Sequence, residues 1–242
     1  MAAQEKSAGV AVSGDGGGAV IVEKLFPAPA RVVFMRTDSN GDLTNYNELH
    51  PAERVVVSRA VDDRKGEFGD ARWCAHQALR ELGVDSASAI LKGEKGMPLW
   101  PEGYTGSLTH TDGLRIAVAA PTDALRSVGI DAEPAEPLPE GVLDQIARSP
   151  ERHWVDVQKA AGNDWADRLL FCAKEATYKT WFPMTLRWLG FEDAEIDIRP
   201  DGTFISYLLV RPTPVPFIEG RWMVRSGYVC AAAFVPAQST VG

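Results

Sequence analysis

The chain is poor in sulfur and imidazole. Its three cysteines, Cys74, Cys172 and Cys230, are an odd and scattered set in apolar surroundings. That pattern argues against a disulfide framework or a thiolate zinc site and predicts reduced core thiols. The four histidines, His50, His76, His110 and His153, show no metal-ligand spacing, so any bound metal is expected on oxygen ligands. Positive charge is also in deficit, with 25 Lys and Arg against 33 Asp and Glu and a net charge of -8. A phosphate backbone is gripped by clustered Lys and Arg, so nucleic acid is not expected as the main partner, although local basic pockets are allowed. No apolar run approaches the roughly 20 residues needed to span a bilayer, and the opening MAAQEKSAGVAVSGDGGG lacks the basic and apolar regions of a signal peptide. A cytoplasmic protein without a membrane partner is the expectation.

With 45% hydrophobic and 24% charged residues, the 242-residue chain can bury one large core or two small ones. Residues 1–18 are rich in Gly, Ala and Ser and read as a disordered tail. Strands are expected at 19–22, 30–35, 114–120 and 126–130. Residues 49–82 mix charges with spaced apolar positions and predict one or two helices stopping at Gly83. LKGEKGMPLWPEG reads as a loop. Helices are expected at 141–147, 150–161 and 165–181, and closing antiparallel strands at 194–198, 203–210, 221–224 and 228–234. HTDGLRIAVAAP (110–121) and VRSGYVCAAAFVP (224–236) echo each other, each an apolar strand entered from a glycine turn and left at a proline. The echo is weak support for a duplicated architecture.

Four constellations carry possible chemistry. In SVGIDAEPAEP (127–137) a strand runs into Asp131 and Glu133, which share a face because strand side chains alternate. Their repulsion calls for a cation or a shared proton, unless the pair is simply a solvated strand end. FCAKEATYKTWF (171–182) places Glu175 one helical turn from Lys179 and Lys174 one turn from Tyr178. That is either an exposed ion pair or, with the first two acids, an oxygen-ligand set for Mg²⁺ flanked by phosphate-binding lysines. GSLTHTDG (106–113) reads as a hydroxyl-rich turn in which Thr109 and a charged His110 would bond a phosphate, or in which His110 caps a strand end. Arg64 and Arg72, two turns apart beside Lys65, form either a solvated helix face or an anion clamp, to which the turn from Lys92 to Gly96 would add charge.

The order S-L-T-H (107–110), G-I-D-A-E (129–133) and F-C-A-K-E-A-T-Y-K (171–179) resembles the 4′-phosphopantetheinyl transferases in their double-length form. The likeness extends from about residue 48 to 235 and is nearest to the actinobacterial type, with its LKGEKG-PxWP and RWLGFEDA segments. It implies an α/β (α+β) fold of two similar halves, 19–124 and 125–242, packed as a pseudo-dimer with the active site in the cleft between them. It also implies a reaction: phosphopantetheine moves from coenzyme A to a serine of an apo acyl or peptidyl carrier protein, releasing adenosine 3′,5′-bisphosphate. Asp131, Glu133 and Glu175 would hold Mg²⁺, and Lys174 and Lys179 the phosphates. His110, Arg64 and Arg72 would hold the 3′-phosphate, with Lys92 and Gly93 on the adenine side. Glu175, or failing it Glu133, would take the serine proton, and Lys179 would stabilise the departing nucleotide. TWFPMTLRWLGF (180–191) is either core or a groove for the carrier. A monomer is expected. A Mg²⁺-dependent phosphohydrolase and a non-catalytic coenzyme A binding module are the alternatives.

Overall fold

The computed structural model describes residues 22–38, 41–85 and 88–237. The tail 1–18 and most of the strand expected at 19–22 lie outside the described residues; Val22 begins a 3-10 turn, Val22–Leu25. The first sheet holds β1 (Arg31–Arg36), β4 (Tyr104–Thr111) and β5 (Leu114–Pro121), ordered β1-β5-β4 and antiparallel throughout. Between β1 and β4 come α1 (Thr44–Glu48), α2 (Pro51–Val56), the long α3 (Asp62–Glu81) and a short hairpin of β2 (Leu91–Lys92) with β3 (Pro98–Leu99). The second sheet begins with β6 (Leu125–Pro134). After α4 (Val142–Ile146), α5 (Ser149–Ala160) and α6 (Ala166–Thr185) it is completed by β7 (Ala194–Ile198), β8 (Thr203–Leu208), β9 (Phe217–Arg225) and β10 (Tyr228–Pro236), in the order β6-β10-β9-β8-β7.

The internal echo corresponds to a structural one. Each half runs strand, 20-residue helix, then hairpin, and each sheet seats its last strand in the middle, as β1-β5-β4 and β6-β10-β9. The two similar halves of the expected α/β (α+β) fold are therefore present, the second enlarged by the β7-β8 pair.

Alternation within the strands distributes the core. On β5, Ala117 and Ala119 pack against Cys74, Ala78 and Leu79 of α3, while Ile116 and Val118 turn to the opposite face. On β10, Val229, Ala231 and Ala233 meet α6, whereas Cys230, Ala232 and Phe234 join Ile116 and Val118 in a core shared by both halves and closed by Leu25 and Phe26. Burying each Ile or Leu of this kind contributes about 1.5–3 kcal/mol. The halves meet side by side along β4 and β6, where Ser107 Oγ accepts from Ile130 N at 3.1 Å. All three cysteines are buried and free.

One expected turn is instead a strand. GSLTHTDG contributes residues 106–111 to β4, because Thr105, Ser107 and Thr109 are buried on the side toward β6 and the apolar signal of a strand is replaced there by hydroxyls. Only Asp112 and Gly113 turn, and Asp112 O accepts from Tyr228 Oη at 2.9 Å, linking this hairpin to β10.

Gly129 decides how the second half packs. A Cβ at this position would lie 2.1 Å from Ala176 O and 2.6 Å from Thr180 Oγ1, so α6 approaches β6 more closely than any side chain allows. Gly129→Ala is expected to lower the unfolding free energy by about 1–3 kcal/mol through overpacking, measured by denaturant titration.

Candidate active site

A cavity of about 750 Å³ opens between α3 and α6, with β4 as its floor. Arg64, Phe68 and Arg72 line it from α3, Lys92 and Lys95 from the hairpin, His110 from β4, and Glu175, Tyr178 and Lys179 from α6. Two helices from different halves thus present cations on one side and a carboxylate with a lysine on the other.

On the α6 side the close approach at Gly129 determines the geometry. Ser127, Gly129 and Asp131 face α6 in alternation: Ser127 Oγ donates to Thr180 O at 2.7 Å, and Lys179 Nζ donates to Asp131 Oδ1 at 2.7 Å and to Ile130 O at 3.0 Å. Thr109 is buried and donates to the same Asp131 oxygen at 2.9 Å. It is held away from the cavity wall and acts on Asp131. Asp131 Oδ2 is buried with no hydrogen-bond partner. Glu133, on the next same-face position of β6, lies 3.6 Å from Arg168 Nη1. Burial first, then the neighbouring Asp131 charge, raises both the Glu133 and the Glu175 carboxyls above the ordinary carboxylate range. Carboxylate oxygens are the hard donors that Mg²⁺ takes, and Asp131 Oδ2, buried and unbonded, is one such oxygen on the strand that also carries Glu133. Among the described residues no three acidic, His or Cys side chains close into a metal cluster. The positive charge beside Asp131 is the Lys179 ammonium. The exposed Glu175–Lys179 pair is thus replaced by a Lys179–Asp131 pair between helix and strand.

On the α3 side, Arg64 Nη1 lies 2.6 Å from His110 Nε2 and 3.1 Å from Glu67 Oε2. Burial, then the Arg64 charge, pulls the His110 imidazole below its usual value. The free protein therefore holds His110 neutral, accepting from Arg64, where the sequence suggested a charged ring. Arg72 is 4% exposed and stacks 5.0 Å above the Phe68 ring, with Nε and Nη1 lacking hydrogen-bond partners. Burial lowers its guanidinium to about 10. Lys65 instead pairs with Asp62 at 2.9 Å. Gly93 is not on the wall: its amide donates to Met97 O at 2.7 Å and closes the turn, so that Gly96 and Lys95 face the cavity.

Lys174 requires a correction. It is 4% exposed, and its Nζ lies 2.9 Å from Glu151 Oε1, 2.6 Å from Phe191 O and 2.8 Å from Ala194 O. Glu151 also accepts from Arg148 N and Ile196 N, each at 2.7 Å. Every valence of this ammonium is spent joining α5, α6 and β7, leaving none for a phosphate. Helical spacing put Lys174 and Glu175 next to each other without revealing that 100° of rotation turns one inward. TWFPMTLRWLGF divides similarly: Trp181, Phe182 and Leu189 are buried, whereas Leu186 is 51% and Trp188 68% exposed, the latter 5.1 Å from the Tyr178 ring. Arg59 also lines the cavity; it precedes α3 in a loop, where no periodic signal could have marked it.

Residues 52–120 match the N-terminal domain of 4′-phosphopantetheinyl transferases, and residues 127–233 match the 4′-phosphopantetheinyl transferase superfamily. The chain is 46% identical over 229 residues to the 4′-phosphopantetheinyl transferase Npt of Nocardia iowensis, covering 88% of this chain and 98% of the relative. It belongs to the 4′-phosphopantetheinyl transferase family. Two further actinobacterial relatives agree. The transferase PptT of Mycobacterium tuberculosis is 50% identical over 192 residues, 75% of this chain and 84% of its own length. The transferase Svp of Streptomyces mobaraensis is 41% identical over 226 residues, 90% of each chain. The actinobacterial resemblance and the transferase class are thereby borne out.

Lys174→Met would leave Glu151 without its buried counter-charge, and an unfolding free energy lower by about 3–5 kcal/mol is expected. The KM for coenzyme A, measured on the folded fraction, is expected to stay unchanged; a large rise would return Lys174 to the phosphate site.

Proposed function

We propose that this transferase moves the 4′-phosphopantetheine group of coenzyme A to a serine of apo acyl or peptidyl carrier proteins, in a Mg²⁺-dependent reaction that releases adenosine 3′,5′-bisphosphate. The observation that supports it most is the single cavity bounded by Arg64, Arg72 and His110 from one half and by Glu175 and Lys179 from the other. Such a cavity suits a long ligand with anionic groups at separate points along its length.

In this reading Arg64, Arg72 and His110 receive the 3′-phosphate, and Lys92 with Lys95 covers the nucleoside end. Asp131, Glu133 and Glu175 hold Mg²⁺, which when bound would offset the negative charge of the pyrophosphate. Lys179, kept at the cavity by Asp131, neutralises charge that builds on the departing phosphate oxygens. Glu175 takes the proton from the carrier serine as its oxygen attacks phosphorus. The exposed Leu186 and Trp188 at the end of α6 give the carrier an apolar landing place near the cavity.

The direct test is intact-mass measurement of an apo carrier protein incubated with the enzyme, coenzyme A and Mg²⁺. A gain of one phosphopantetheinyl group that EDTA suppresses is expected. Coenzyme A cleaved without a carrier adduct would favour a hydrolase, and binding without turnover a binding module. Glu175→Gln is expected to abolish transfer while coenzyme A still binds; transfer at the wild-type rate would remove Glu175 from the chemistry.

His110 gives a pH signature. An anion beside a neutral imidazole raises its proton affinity, so binding takes up a proton. Coenzyme A should bind more tightly as pH falls through the interval between the bound and free imidazole values, with the gain complete below the free value, which lies under the ordinary histidine range. Calorimetric titration between about pH 6 and 8, comparing wild type with His110→Gln, isolates this proton from those of the ligand.

A further inference from the structure

Glu53 is a charged residue with no exposure at all, on the short α2, and nothing in the reaction described above uses it. Its two carboxylate oxygens are each 3.0 Å from His76 Nε2, and Oε1 also accepts from Ile90 N at 3.2 Å. Arg72 Nε stands 3.9 Å away, within ion-pair range and beyond a hydrogen bond. Three separate segments therefore converge on one carboxylate: α2, the middle of α3 through Arg72 and His76, and the backbone just before β2.

Burying an isolated carboxylate costs several kcal/mol, and an apolar side chain of similar volume would ordinarily serve stability as well or better. The retained charge needs another reason, and Arg72 supplies it. The Arg72 guanidinium is almost wholly buried, lies along the cavity and leaves Nε and Nη1 without hydrogen bonds. Burial already weakens its hold on its proton, and Phe68 restrains only the plane of the group. An anionic neighbour on the protein side opposes that weakening and, 3.9 Å from Nε, draws the buried edge of the guanidinium inward, leaving the part that lines the cavity for a ligand. The bond from Ile90 N ties the same carboxylate to the backbone immediately before β2, two residues from Lys92.

We propose that Glu53 is a positioning residue that, braced by His76, orients Arg72 and the Lys92 hairpin toward the 3′-phosphate of the coenzyme A donor. This rests on the reading that Arg72 receives the 3′-phosphate. Glu53 touches no substrate; it acts through the guanidinium.

Steady-state kinetics of the full-length enzyme with coenzyme A and with 3′-dephospho-coenzyme A test the idea, because the second donor lacks the phosphate in question. Glu53→Gln keeps the shape and removes the charge. It is expected to raise the KM for coenzyme A by roughly tenfold, the scale of one charge-assisted bond, with a much smaller change for the dephospho donor and little change in kcat. Glu53→Asp keeps the charge but withdraws it by one methylene, and a selective rise of the same kind is expected if Glu53→Gln does not fold. Equal increases for both donors would mean general support of the fold and would overturn the proposal, as would no increase for either. Arg72→Ala is run beside them. If it discriminates between the donors and the Glu53 variants do not, the positioning role falls while the phosphate reading stands. If Arg72→Ala does not discriminate, both fall.

Discussion

Contact between α6 and β6 at Gly129 is the constraint on which the rest of the site depends. With no side chain between them, the helix and the strand bring Asp131 and Lys179 into a 2.7 Å pair and set Glu175 against the cavity. Separating the two elements by even the width of a methyl group would pull the lysine from its carboxylate and loosen every charge relationship around it. The glycine thus acts on the electrostatics, and its packing role is the means. The same contact explains why a residue as small as Thr180 faces β6, its Oγ1 turned back to Ala176 O; one turn away, Thr177 Oγ1 meets Ser206 Oγ of β8 at 2.6 Å.

The two halves share a plan and differ in what they have made of it. Each presents the long helix of its strand, helix and hairpin unit to the common cavity. The first half uses that helix to display guanidinium groups, and the second uses the equivalent surface for a carboxylate and a lysine. A cavity with opposite chemistry on its two sides is a natural product of duplication, since each helix can change without disturbing the sheet behind the other. The β7-β8 extension and the Glu151–Lys174 knot belong to the second half and stiffen the helix that carries Glu175 and Lys179.

Much of this was legible in the sequence, for identifiable reasons. Strands that are short continuous apolar runs, such as β5 and β10, were found because each buries both faces in apolar surroundings. The long helices α3 and α6 were found through their spacing. β4 was hidden because its buried face is made of hydroxyls that bond across to β6, so its pattern reads as polar. At the site, Asp131 and Glu133 announced themselves by sharing a strand face, and Glu175 and Lys179 by the resemblance their segment bears to a known family. Lys174 misled because adjacency along a helix says nothing about which neighbour turns to the core. Glu53 was invisible, since a glutamate in a helix full of charges gives no sign that it will be wholly buried among residues 23 and 37 positions away.

The interior position of the three cysteines has a consequence for a protein that handles a thiol-bearing donor. Burial lifts all three thiols well above the ordinary cysteine range, Cys230 to about 12. A sulfur attacks a disulfide only as its anion and only where it can be reached. None of these residues meets either condition. Oxidised coenzyme A, or a carrier whose new arm has formed a disulfide, finds no partner here for exchange. The enzyme can therefore pass its substrates through a fluctuating redox environment without becoming covalently trapped by them.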